Sequence, residues 1–418
     1  MRDLVRVERS HSDLALASVA SLTAMACGSA LGVPWELREP PKDSDELLMS
    51  GSAELGAGEW GTDVQLAVIA LEVAAVGGLS SHAALDSLAA RIIAWYRSNP
   101  AHVPAGIDSV LQWALDPSLA PAHLRRDIEE MDASSAQRLR VSARCRWETQ
   151  RLSARVPGNE VLALMVPVAV STGLDEGECR RLALAVSSMV SADPLSLLVS
   201  AAYAELLRGA LLGFVESRPW SECFDWQAAV RKTLAGVHAL SGKIARDVPG
   251  LVLEWDAPGM RDARAVLVSI RESGAADAGF SFGAGAGLDA VSAVDRVLAA
   301  VEKTVWEKNR DLNPVWSAVS SAVRAGGDTD TVGCLVGALV GAACGPREVP
   351  SYWADQVWGW PGLRQDGLRD LATAAVYAGL AKTYPAHGNL TRPRNISRAG
   401  KNPNYPCKPA PQAEVKRR

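Results

Sequence analysis

The chain of 418 residues is poor in the features that define several large protein classes. Its seven cysteines (Cys27, Cys145, Cys179, Cys223, Cys334, Cys344 and Cys407) are odd in number, far apart, and include no C-x-x-C pair. That argues against a disulfide scaffold or a thiolate zinc site and fits a reduced, cytoplasmic chain. Alternating apolar and polar runs of strand length are missing, so no sheet-based architecture is expected. Phe and Tyr are scarce, four and six against thirteen Trp, and neither sign of charge dominates, with 43 Lys and Arg against 47 Asp and Glu. With 48% hydrophobic and 22% charged residues, global disorder, collagen and a multi-span membrane protein are excluded, and the length allows a sizeable core.

Charge is absent altogether between Leu14 and Trp35, a stretch long enough for a membrane span or a signal h-region. It consists mostly of Ala, Ser, Gly and Thr, which contribute little to insertion, and its flank mixes signs (Arg2, Asp3, Arg6, Glu8, Arg9, Asp13). A helix buried inside a protein, with no membrane partner, explains it better.

Helical periodicity is what the sequence does contain. It recurs over Leu66 to Ala75, His82 to Tyr96, Glu178 to Met189, Leu195 to Val215, Asp262 to Glu272, Ala290 to Trp306 and Thr331 to Cys344. The expected organisation is an N-terminal extension (1–12), one large all-α domain (13–383) and a Pro-rich tail (384–418). Gly274 to Gly287 is glycine-rich, and without a following G-K-[ST] or a preceding strand it reads as a surface loop more readily than as a phosphate cradle. In the tail, Arg392, Arg394, Arg398, Lys401, Lys408, Lys416, Arg417 and Arg418 face only Glu414. This +7 segment leaves the body at −11. Such a tail is expected to be disordered, either a solubilising extension or a tether for nucleic acid or an acidic surface.

The strongest local signal is Gly326-Gly327-Asp328-Thr329-Asp330-Thr331, which opens an apolar helix carrying Gly333, Gly337, Gly341 and Gly345 at four-residue spacing. The paired glycines free the backbone, two carboxylates and a hydroxyl follow, and hard divalent cations take such oxygen ligands. Helix capping is the competing reading, but a cap needs one Asp or Thr and four stand here. The glycine stripe provides a smooth face for close packing by another helix, and the run is too short to be a membrane GxxxG span.

GGDTDT before a Gly/Ala-rich helix resembles the C-terminal metal motif of the ADP-ribosylglycohydrolase family. Further segments resemble the family's motifs in the same order. Ala26-Cys27-Gly28-Ser29-Ala30-Leu31-Gly32-Val33-Pro34-Trp35-Glu36 is similar to A-x-G-D-A-x-G-x-P-x-E, and Trp60-Gly61-Thr62-Asp63-Val64-Gln65-Leu66-Ala67 to W-T-D-D-T-x-x-A. Gly158-Asn159 with Pro167 is similar to G-N-G…P, and Gly345, Pro350 and Trp353 to the closing G…I-P-x-x-W. The resemblance implies an all-helical domain holding two magnesium or manganese ions, which bind ADP-ribose and a water at the anomeric carbon for hydrolysis of the bond to an acceptor. It implies Asp328, Asp330 and Thr331 as metal ligands, with Asp330 bridging, joined by Thr62 and Asp63 from the second motif. It places Glu36 on a mobile flap as ligand or general base, and Asp63 beside it as the other catalytic carboxylate.

The chain departs from the pattern at the chemistry itself. T-D-D-T becomes Gly61-Thr62-Asp63-Val64 without a gap, or with a shift of one residue keeps Thr62-Asp63 as its Thr-Asp pair and loses the second Asp, so a carboxylate is gone either way. The opening Asp is Ser29, the second glycine of G-N-G is Glu160, a common arginine is Leu164, and Ser191-Ala192 stands where Thr-His is usual. A lost carboxylate can empty a magnesium site, so the ion held by Asp328, Asp330 and Thr331 is expected to be the better preserved of the two. Three readings follow: a weakened glycohydrolase, a catalytically impaired pseudoenzyme that binds ADP-ribose or a related nucleotide, and a scaffold acting through its tail. The isolated His82, His102 and His238 read as surface or cap residues, Trp353, Trp358 and Trp360 as packing, and Cys334 and Cys344 as buried inert thiols.

Overall fold

A computed structural model of the protein describes residues 2–129, 134–151, 158–247, 256–270, 287–306 and 313–383. Among the described residues the chain forms α1 (Arg2–Gly32), α2 (Thr62–Gly77), α3 (His82–Arg97), α4 (Ala105–Leu115), α5 (Ala122–Glu129), α6 (Ser135–Arg151), α7 (Met165–Ser171) and α8 (Glu176–Ser187). There follow α9 (Pro194–Val215), α10 (Trp226–Asp247), α11 (Pro258–Ser269), α12 (Ala290–Trp306), α13 (Pro314–Arg324), α14 (Thr329–Cys344), α15 (Ser351–Ala354) and α16 (Gln365–Thr383). The strands among these residues are β1 (Trp358–Gly359) and β2 (Leu363–Arg364), an antiparallel pair.

The all-helical class is therefore as the periodicity predicts, and among the described residues each periodic run lies on a helix with ends displaced by about one turn. Two residues per strand carry no period to detect, which is why the hairpin escapes a sequence reading. The boundary drawn between residues 12 and 13 falls within α1, which runs unbroken from Arg2 to Gly32. Residues 274–286 of the glycine-rich segment and the basic tail beyond Thr383 lie outside the described residues.

The fold is organised around the antiparallel pair α1 and α14. At Gly333, Gly337 and Gly341 an added Cβ would lie 2.7, 2.1 and 2.6 Å from the carbonyl oxygens of Gly28, Ala24 and Ala20, and at Gly28 it would lie 2.0 Å from that of Gly333. Backbone meets backbone along three turns, so dispersion between main chains replaces side-chain interdigitation. Hydroxyls add cross-links: Ser21 Oγ donates to the Ala338 carbonyl at 2.8 Å, Thr329 Oγ1 to Gly32 at 2.8 Å, and Tyr203 Oη of α9 to Leu335 at 2.7 Å. The most apolar 18 residues within Ser10–Trp35 are 89% buried, and those within Pro194–Val215 83%. Both helices are long and apolar enough to cross a membrane, and packing inside the fold accounts for the lack of charge in the first.

α2 enters the site through a separate anchor. Trp60 N donates to the Trp358 carbonyl and Trp358 N to Gly58, both at 3.0 Å, which ties residues 58–60 to the hairpin. Trp60 is fully buried, and α2 begins two residues later beside the end of α1.

The close approach makes a stability prediction. Gly28→Ala forces α1 and α14 apart and is expected to cost about 3 kcal/mol. Gly209→Ala, where an added Cβ meets nothing within 4 Å, is expected to stabilise by roughly 0.5–1 kcal/mol. Denaturant unfolding of the two variants checks the contrast.

Candidate metal centre

Three helix ends converge here: the C-terminus of α1, and the N-termini of α2 and α14. After Gly32 a short 3-10 turn, Val33–Trp35, delivers Glu36. Asp63 sits in the first turn of α2, while Asp328 precedes α14 and Asp330 lies in its first turn. Gly326 and Gly327 both have positive φ, +71° and +79°, the backbone freedom that the paired glycines predict. The two N-termini aim partial positive charge at the carboxylates between them.

Carboxylate oxygens of Glu36, Asp328 and Asp330 lie within 4.8 Å of one another. A cation with bonds to oxygen of roughly 2.1–2.4 Å spans about that distance between opposite ligands. Asp328 occupies the N-cap position of α14 but its side chain makes no capping bond, so the capping reading of this sequence is not what the carboxylate does. Instead Asp328 Oδ2 accepts from Asn159 Nδ2 at 2.6 Å, and the same amide donates to the Gly287 carbonyl at 2.5 Å. Asp330 Oδ1 is buried with no hydrogen-bond partner. An orphaned carboxylate oxygen is expensive unless a proton or a cation satisfies it, and the all-oxygen donor set suits a hard divalent ion.

Electrostatics point the same way. Burial first, and then the neighbouring Asp328, push Asp63 up to about 7, against the restraining hydrogen bond from Thr331. Asp330 is raised far more strongly by burial, Asp328, Glu36 and Asp63. Glu36, half-buried at the edge, is raised by burial and Asp328 while His102 opposes the shift. Carboxylates that mutually suppress ionisation form a cluster short of positive charge.

The remaining sequence-predicted residues are placed individually. Thr331 Oγ1 donates to Asp63 Oδ2 at 2.7 Å, so Thr331 joins the second motif to the first. Thr62 lies beside Asp63, but its hydroxyl donates to the His102 carbonyl at 2.9 Å. Ser29, standing for the usual Asp, accepts from Gly61 N at 3.0 Å and thereby fixes the start of α2. At Gly61, where Thr is usual, an added Cβ would lie 2.9 Å from Asp330 Oδ2, so a side chain there would have to shift that carboxylate. Ala192 contributes no polar group, and Asp193 beside it caps α9 through Ser196 N at 2.6 Å.

Sequence reasoning missed three contributors. Asn159 was visible only as part of a motif, without its role of holding Asp328. Glu160 is buried, its carboxylate wedged where a Cβ on Gly106 or Gly158 would stand. Burial raises its pKa, its own backbone N–H and Arg146 restrain the rise, and Asp328 adds to it. Arg296 of α12 donates to the Gly326 carbonyl at 2.7 Å and steadies the turn that carries Asp328. No local pattern marks that arginine.

Comparison with known proteins agrees with this architecture. A family model described as ADP-ribosylglycohydrolase matches residues 11–385. A solved structure titled "ADP-ribosylglycohydrolase-related protein complex" superposes with a TM-score of 0.53 at 18% identity, covering 88% of this chain and 99% of that one, which is a likeness of fold. The search of curated proteins finds no match. With the family's model spanning nearly the whole described domain and the paired acidic motifs meeting at one centre, the chain belongs to the ADP-ribosylglycohydrolase family.

Proposed function

We propose that the protein hydrolyses a glycosidic bond to ADP-ribose, or to a related nucleotide-sugar, in a reaction that depends on a divalent cation. The observation that carries this reading is the Glu36, Asp328 and Asp330 set with its unpartnered Asp330 Oδ1. These three residues would hold one magnesium or manganese ion. When bound, such an ion supplies Lewis-acid polarisation of sugar hydroxyls and water.

The chain's own groups supply the rest. The transition state of glycoside hydrolysis is oxocarbenium-like, and a fixed carboxylate cluster favours positive charge developing at the anomeric carbon. Asp63, a buried carboxylate at the start of α2 that burial and Asp328 raise in the cation-free site, is the group that would take a proton from the attacking water. Thr331 holds that carboxylate by its Oδ2. Glu36 stands at the open edge, where the leaving acceptor departs. A cytoplasmic setting belongs to the same proposal, supported by six described cysteines that are all free thiols.

A second reading draws on the departures. Thr62 and Ser29 spend their hydroxyls on backbone groups, Ala192 is apolar, and Glu160 places another buried carboxylate near Asp328. On that reading the site binds ADP-ribose or a related nucleotide without turnover.

Purified protein at millimolar Mg²⁺ is expected to release ADP-ribose from an arginine-, serine- or thymidine-linked substrate, and Asp63→Asn to slow the release by about a hundredfold or more. No release beside an active family member, together with calorimetric binding of ADP-ribose, selects the second reading. Absence of both contradicts each of them.

The raised carboxylates also fix a pH dependence. The folded state binds protons that the unfolded chain has released, so without metal, stability falls as pH rises from about 5 to 8 through the folded value of Asp63. A cation binds the ionised form, so saturating Mg²⁺ flattens that slope. Asp330→Asn is expected to stabilise the metal-free protein on the order of 1–3 kcal/mol at pH 8 and to abolish the Mg²⁺ response. Thermal denaturation at pH 5, 6.5 and 8, with and without Mg²⁺, reads all three effects.

A further inference from the structure

Glu36 differs from the other two carboxylates of the cation set. Asp328 and Asp330 are built into the start of α14, whereas Glu36 lies where helical structure has ended and an irregular segment runs on toward Gly61. Something other than helix geometry has to bring its carboxylate to the cluster.

Contacts across the fold do this. Leu37 N donates to the Gly327 carbonyl at 2.8 Å, one residue before Asp328. Leu37 has φ +53°, a left-handed conformation unfavourable for a leucine, and its side chain is exposed, so no packing of its own holds it there. Arg324, in the last turn of α13, reaches across to the same segment. Its Nη2 donates to the Asp45 carbonyl at 2.8 Å and its Nη1 to the Lys42 carbonyl. Those carbonyls belong to a turn closed by Lys42 N on Asp45 Oδ2 at 2.8 Å and Asp45 N on the Lys42 carbonyl at 3.0 Å. Pro40 lies against Gly326, where an added Cβ would meet its ring at 3.1 Å. The guanidinium thus fastens residues 37–45 to the two-glycine turn that presents Asp328.

We propose that Arg324 is a positioning residue for the cation site: it latches the segment after Glu36 onto the α13–α14 turn and so brings the Glu36 carboxylate to Asp328 and Asp330. The proposal rests on the cation reading given above and adds the device that completes the ligand set. Arg324 touches neither cation nor substrate, and its planar fork of donors suits two carbonyls at once. Without the latch the left-handed Leu37 relaxes, and Glu36 has to be ordered again by the cation at the expense of affinity.

The test uses the full-length protein and Mn²⁺ as the probe. By calorimetry, Arg324→Ala is expected to weaken Mn²⁺ binding about tenfold or more, the usual loss when a group supporting a ligand is removed. In a Glu36→Gln background the same substitution is expected to weaken it no further, because its effect passes through Glu36. Hydrogen exchange of residues 37–45 should accelerate in Arg324→Ala while protection of α14 is unchanged. Equal Mn²⁺ affinity in Arg324→Ala and wild type overturns the proposal alone. So does an equal loss in both backgrounds, which would make Arg324 a general support of the site. Wild-type protein that binds no Mn²⁺ overturns the cation reading, and the latch with it.

Discussion

The main-chain contact between α1 and α14 is the constraint on which the rest of the structure depends. Because Gly28, Ala24 and Ala20 admit the backbone of Gly333, Gly337 and Gly341, the C-terminal end of α1 finishes against the N-terminal end of α14. Glu36 and the pair Asp328 and Asp330 are almost three hundred residues apart in sequence, yet each emerges within one turn of that shared end. A larger residue in the stripe would widen the helix spacing and separate the carboxylates by a similar amount. The stripe is therefore part of the site's chemistry as well as of its packing.

What that geometry assembles is unstable by itself. Several carboxylates meet beside buried helix ends, and one oxygen of Asp330 has no partner. The fold offsets this cost elsewhere, through an extensive apolar core. A site that opposes stability without a ligand is what the proposed cation would relieve. Arg296 meets the cluster with one positive charge near Asp328, while Asn159 and Arg324 act through hydrogen bonds. They fix the turn and the segment that present it.

Much of this was legible in the sequence, for physical reasons that also explain the omissions. Helices with strong 3.6-residue periodicity, such as Ala290 to Trp306, declare themselves locally, and so does a Gly-Gly-Asp-Thr-Asp-Thr start. The sequence offered Thr62, Asp63, Asp328, Asp330 and Thr331 as ligands with Glu36 as ligand or general base, and the fold gathers the carboxylates of Glu36, Asp328 and Asp330 within 4.8 Å of one another. Thr62 and Thr331 are equally suited to a cation by type, and only the fold shows that the hydroxyl of one donates to the His102 carbonyl and that of the other to Asp63. Arginines that act on distant carbonyls leave no local trace, since any exposed turn supplies the acceptor. Glu160 could be noted as a departure, but its wedge between Gly106 and Gly158 depends on two loops meeting.

The central claim is the proposal that Glu36, Asp328 and Asp330 hold one divalent cation. Anomalous diffraction from crystals soaked in Mn²⁺ tests it most directly. The account predicts a single strong anomalous peak bonded to those three carboxylates, with Thr62 still turned to the His102 carbonyl. Two peaks bridged by Asp330, or none at this centre, would contradict it.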